Sequence, residues 1–149
     1  MIVVIDTNVF VSGVIKPFGK PAAILRLVAS GTLHMAYDLR LISEYREVLN
    51  RPRFGMAPDA LDRLLLQIQE EGTPVVASPL GFRLPDPEDE AFLEVALSAG
   101  AYALVTGNKR HFPKRAYGGV RILGPAEFLE TWPKGQRPFN RKGERRSLS

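Results

Sequence analysis

The chain opens with Ile2-Val3-Val4-Ile5-Asp6, a continuous run of β-branched apolar residues that ends on a carboxylate. A strand without polar alternation has to be covered on both faces. That confines it to the interior of a sheet flanked by helices. A carboxylate directly after such a strand stands at the sheet's carboxyl edge, where open α/β folds place their ligand crevices. The plainer reading of Asp6 is a cap for the next segment, assisted by Thr7 or Asn8.

The rest of the chain alternates short β-rich runs with helical patterns. Pro21 opens a helix carrying Ile24, Leu25 and Val28 that closes near Gly31, and residues 33–37 read as a second strand. Residues 39–50 follow as a helix. Another opens at Pro58, where Leu61, Leu64, Leu65 and Ile68 keep the i, i+3, i+4, i+7 spacing until Gly72. A third strand is expected over 74–77. A helix is expected from Asp86-Pro87 to about Ala99, then strands over 103–105 and 120–123, and a last helix after Gly124-Pro125. Strand–helix alternation of this kind favours a parallel sheet with right-handed crossovers and helices on both faces.

Composition narrows the chemistry. The 149 residues include no cysteine, which removes disulfides, thiolate nucleophiles, zinc ribbons and iron–sulfur clusters together. Two histidines, His34 and His111, are too few for a histidine-rich metal site, and His111 reads as a surface residue. The chain has no apolar run long enough to span a bilayer, and Met1–Ile5 lacks the basic lead of a secretory signal, so a cytoplasmic protein is expected. The net charge of +4 is uneven: residues 134–149 hold six basic residues against Glu144, leaving that end at +5 and the preceding 133 residues at −1. A folded domain over 1–131 and a basic, flexible tail over 132–149 able to hold phosphates are expected.

Oxygen ligands therefore carry the argument. On the helix over 39–50, Leu41, Ile42, Tyr45, Val48 and Leu49 fill an arc of roughly 120°, and Glu44 falls about 40° outside it, on the border. A border glutamate either pairs with a basic neighbour or reaches into a cleft. In Asp86-Pro87-Glu88-Asp89-Glu90, Asp86 suits an N-cap before proline. Asp89, however, shares the i, i+3, i+4, i+7 stripe with Phe92, Leu93 and Ala96, and a carboxylate aimed into a core is costly unless it is paired or binds a metal. In Val105-Thr106-Gly107-Asn108 a strand runs into a turn whose Thr106 and Asn108 would stand beside Asp6, and Lys109, Arg110 and His111 follow directly, placing cationic groups at the mouth of the same crevice. Magnesium and manganese are hard cations that prefer oxygen ligands and keep several waters, so a few convergent carboxylates suffice to hold them.

The ordered set Asp6-Thr7-Asn8, Ser43-Glu44-Tyr45, Asp86 to Asp89 and Val105-Thr106-Gly107-Asn108, closed by Gly124-Pro125-Ala126-Glu127-Phe128, resembles the PIN domain family over about residues 1–131. The likeness is strongest to the branch similar to the virulence-associated VapC toxins of toxin–antitoxin pairs. It implies a three-layer α/β/α sandwich around a mainly parallel sheet of about five strands, and a Mg2+- or Mn2+-dependent ribonuclease. It also implies a small antitoxin partner and a homodimer. Residue by residue, the family's acids match Asp6, Glu44 and Asp89 as metal ligands. Asn108 stands where a fourth catalytic acid is usual. Asn8, Thr106 and Asp86 are expected in supporting roles, and Lys16, Lys109 and Arg110 as contacts to RNA phosphates. The competing reading is a catalytically weak PIN-like module that binds RNA or protein, which Asn108 and the basic tail favour. A phosphotransfer domain fits less well: the haloacid dehalogenase type wants a second aspartate where Asn8 stands, and the receiver type an acid where Ala77-Ser78 follows the third strand.

Overall fold

Val3, Val4 and Ile5 are completely buried in the computed structural model, which describes residues 1–131. The basic stretch 132–149, and the phosphate-holding role expected of it, lie outside the described residues. In chain order the elements are β1 (Ile2–Ile5), α1 (Thr7–Ile15), α2 (Lys20–Ala29), β2 (His34–Tyr37), α3 (Leu39–Leu49), α4 (Pro58–Glu71), β3 (Thr73–Pro74), α5 (Glu90–Ala99), β4 (Ala103–Val105), β5 (Ala116–Tyr117), β6 (Val120–Leu123) and α6 (Pro125–Thr131). Short 3-10 turns occupy Pro52–Phe54, Pro87–Asp89 and Lys109–His111.

The strands form one sheet of order β3-β2-β1-β4-β6-β5. Every pairing is parallel except β5 against β6. β1 is central, with Val3 opposite Met35 of β2 on one side and Ile5 opposite Val105 of β4 on the other. Helix α5 lies across β1, β2 and β4, while α6 packs on β4, β6 and α2, and α2 packs on α1. The result is an α/β sandwich of the expected class. From β1 the chain winds first toward β2 and later returns to β4, so the strand order reverses at the carboxyl ends of β1 and β4, where such sheets bind ligands.

Four local features differ from the sequence expectation. The sheet has six strands, because Ala116–Tyr117 turns back on β6 through Gly118 and Gly119, both at positive φ. The third strand comprises only Thr73–Pro74, followed by one further amide bond from Val75 to Tyr37 O; Pro74 has no N–H to give and Val76 is 98% exposed, so the edge ends there. Asp86-Pro87 opens a 3-10 turn, and the α-helix proper begins at Glu90. Finally, residues 7–15 form α1 despite Val9, Val11, Val14 and Ile15, all weak helix formers, and Gly13. Asp6 caps this helix, its carboxylate accepting from the Thr7 amide at 2.8 Å. Gly13 is there for contact: a Cβ would stand 2.6 Å from Leu25 Cδ1 and 2.9 Å from the Pro21 carbonyl oxygen, so only glycine admits α2 this close. Among the described residues no helix is long and apolar enough to cross a membrane.

Candidate active site

The reversal point holds an acidic cleft. β1 delivers Asp6, which is 9% exposed, and the sheet pairing continues through it as its amide donates to Val105 O at 2.9 Å. β4 delivers Thr106, fully buried, whose hydroxyl donates to Asp6 Oδ2 at 2.7 Å. The Asn108 amide in turn donates to Thr106 Oγ1 at 3.1 Å. The turn after β4 therefore holds the threonine that holds the aspartate.

Helix α3 delivers Glu44. Its neighbour Tyr45 is fully buried, stacks on Phe10 of α1 with ring centroids 4.4 Å apart, and donates its hydroxyl to the Ile5 carbonyl. At the other end Arg40 bridges Asp38, the N-cap of α3, and Glu94 of α5, with the Glu94 contact at 2.7 Å. Glu44 itself accepts from Thr7 Oγ1 at 2.6 Å. Among the described residues no cation pairs with it, so the plain boundary ion pair is not what occupies this carboxylate.

Asp89, the last residue of the Pro87–Asp89 turn, is 9% exposed, like Asp6. Burial first, then the charges of Asp6 and Asp86, push its carboxyl up to about 6, with His111 opposing. Asp6 and Glu44 are also raised, in both cases chiefly by burial, with the Thr106 and Thr7 hydroxyls pulling the other way. Asp89 Oδ2 is buried without an aligned hydrogen-bond donor, although His111 Nδ1 lies 2.8 Å from it. Oxygens of Asp86 and Asp89 and a nitrogen of His111 all fall within 4.8 Å of one another.

Of the residues singled out in the sequence, Asp6, Asn8, Lys16, Glu44, Asp86, Asp89 and Asn108 thus line one cleft, with Thr106 directly behind Asp6. Lys109 and Arg110 do not line it, and Lys109 is paired with Glu127 at 2.7 Å. Sequence reasoning set His111 near this crevice without giving it a role, and it missed Arg51 and Arg53. His111 sits on the Lys109–His111 turn, its Nε2 2.9 Å from Asn108 Nδ2, and Arg51 and Arg53 flank Pro52 just past α3. The available signals were the His spaced three after Asn108 and the Arg-Pro-Arg directly after a helix that carries a candidate ligand.

Converging carboxylates of this kind repel one another, and a buried carboxylate oxygen without a donor is unfavourable. A divalent cation relieves both, and the oxygen-dominated donor set suits a hard one. The residues present therefore fit such an ion. The PIN domain family model matches residues 2–110, well over half of the chain, a stretch that includes Asp6, Glu44, Asp89 and Asn108 and stops one residue short of His111. A search of curated proteins gave no match.

Proposed function

Because this chain belongs to the PIN domain family, whose members are in general metal-dependent nucleases, we propose that it is an endoribonuclease that hydrolyses RNA phosphodiester bonds with Mg2+ or Mn2+. We place it, on the same reading, as the toxin of a toxin–antitoxin pair, a cytoplasmic homodimer partnered by a small antitoxin protein. The observation that carries the catalytic part is the meeting of Asp6, Glu44 and Asp89 around one cleft, with a buried Asp89 oxygen whose close partner is His111 Nδ1, out of hydrogen-bond alignment.

In this reading Asp6, Glu44 and Asp89 hold the ion. When bound, it supplies Lewis acidity toward the phosphate and a water of lowered pKa. The remaining work falls to the chain. The Thr106 hydroxyl and the Thr7 amide each donate to one oxygen of Asp6, leaving each oxygen a second lone pair to share, and the Thr7 hydroxyl fixes Glu44 through Oε2, leaving Oε1 open. Asn108 positions this assembly through Thr106 and supports it without adding negative charge. Asn8, at the cleft wall beside Asp6, and Asp86, at the turn leading to Asp89, are supporting groups. Lys16, Arg51 and Arg53 line the cleft and would neutralise phosphates flanking the scissile bond. Lys109 and Arg110, directly after Asn108, would extend that cationic set, Lys109 after leaving Glu127.

The test is cleavage of single-stranded RNA by the pure protein, with and without divalent ion, beside Asp6→Asn. Loss of one charged group at the reacting centre should cost about a hundredfold or more. Equal, metal-independent background from both proteins overturns the enzyme and leaves the binding module, the reading that Asn108 in place of the usual acid favours.

A further inference from the structure

We propose that His111 is a metal ligand of this cleft, and that its nitrogen makes the site prefer Mn2+ to Mg2+. The inference rests on the metal-binding part of the reading above and extends it to a residue outside the matched family stretch. Adjacent ligands of an octahedral ion with bonds of about 2.1 Å stand about 3.0 Å apart. His111 Nδ1 and Asp89 Oδ2 are 2.8 Å apart, in close contact yet without an aligned hydrogen bond. Two donors crowded together in this way, one of them a buried oxygen with no other partner, are placed as neighbouring corners of one coordination sphere. Asp86 completes the group within 4.8 Å.

The other face of the ring explains Asn108. Its Nδ2 lies 2.9 Å from His111 Nε2, so the far nitrogen is occupied and Nδ1 is the one that faces the acids. An imidazole that ligates through Nδ1 carries its proton on Nε2 and needs an acceptor there, which the carboxamide supplies by turning to present Oδ1. A carboxylate would accept equally well but would add charge. Asp6, Glu44, Asp86, Glu88 and Asp89 already bring five carboxyl groups to the cleft. A neutral nitrogen adds a donor without a sixth. At position 108 the acid of the family pattern has thus given way to an amide that orients an imidazole. Imidazole nitrogen strengthens binding of first-row transition ions far more than that of Mg2+, which prefers oxygen.

The experiment uses the full chain, stripped of metal and titrated with Mn2+ and separately with Mg2+ by calorimetry. Electron spin-echo envelope modulation is recorded on the Mn2+ form. The expected result is 14N modulation from a directly bound imidazole and Mn2+ bound at least about tenfold more tightly than Mg2+. In His111→Ala and in the more conservative His111→Gln, the modulation disappears and Mn2+ affinity falls about tenfold while Mg2+ affinity falls less than threefold. Bound Mn2+ with no nitrogen coupling in the unaltered protein overturns the proposal without recourse to any variant. So does an equal loss for both ions in variants whose circular dichroism is unchanged. RNA cleavage scored on the same samples keeps the two readings apart: nitrogen coupling without cleavage sinks the nuclease alone, and metal-dependent cleavage without nitrogen coupling sinks His111 alone.

Discussion

Tyr45 donates its buried hydroxyl to the carbonyl oxygen of Ile5, the residue immediately before Asp6. The bond joins a helix to the last residue of the central strand, so the residues next to each partner, Glu44 and Asp6, are held in a fixed relation. Burial pushes the phenol well above its ordinary value, and it stays a donor at any pH at which the protein is handled. Tyr45→Phe keeps the ring stacked on Phe10 and removes only the bond, leaving a buried carbonyl one partner short. The expected cost is about 1–3 kcal/mol of unfolding free energy by urea denaturation. Metal affinity should fall as well, because Glu44 loses its anchor. A variant as stable as the parent would show that the tyrosine does not anchor this end of the strand.

The raised carboxyls give the metal-free protein a definite pH response. The Asp89 carboxyl sits at about 6 in the fold against 3.8 ordinarily, so the folded state holds its proton more tightly than the unfolded chain. Its contribution to stability is therefore whole below 3.8 and is lost as pH rises through about 6. Asp6 and Glu44, raised as well, act in the same direction. In chelator, thermal melts should show the parent losing stability relative to Asp89→Asn between pH 4 and about 7, the difference levelling above that. Adding Mn2+ or Mg2+ should reverse the order at pH 7.5, since ion and proton compete for the same oxygens. A parent–variant difference that grows as pH falls would contradict the assignment.

Gly13 sets the approach of α1 to α2. Alanine would gain about 1 kcal/mol of helix propensity, but its Cβ would meet the Pro21 carbonyl oxygen at 2.9 Å, and a backbone atom cannot swing aside as the Leu25 side chain can. Overpacking should win, with Gly13→Ala destabilising by about 1–3 kcal/mol in the same urea titration. Gly31, with nothing near a built Cβ but φ of +78°, would be strained by its backbone instead.

Arg51 and Arg53 lie on the cleft wall within reach of any phosphate chain that passes the acids. In an Asp6→Asn background, expected to bind without cutting, replacing each with alanine should weaken single-stranded RNA binding. It should also reduce the slope of log affinity against log salt by about one. Fluorescence anisotropy at several salt concentrations measures both. A weaker affinity with an unchanged slope would mean that the arginines shape the loop rather than meet phosphate.

The sheet was legible because its signals are local. Val3-Val4-Ile5 can be nothing but a covered strand, and Gly100, at φ +61°, stops α5 where the sequence places a stop. The carboxylates were legible for a related reason: each breaks a rule at its own position, Asp6 by ending an apolar run and Asp89 by occupying an apolar stripe. What stayed hidden depends on distant contacts. Apart from the Asp6 cap nothing local makes residues 7–15 helical, and it takes the groove beside Leu25 to overcome their β-branched composition. His111 breaks no rule in its own segment. Only the fold brings it to Asp89, 22 positions back in the chain.

The hydrogen bond from Thr106 to Asp6 spans 100 positions. A growing chain on the ribosome carries Asp6 from its first moments but cannot complete the site until β4 has emerged and threaded in beside β1. Long-range pairings of this kind form late. A chain that ends before β4 lacks the Thr106 hydroxyl that fixes Asp6, so whatever chemistry the cleft performs is deferred until most of the protein has been made.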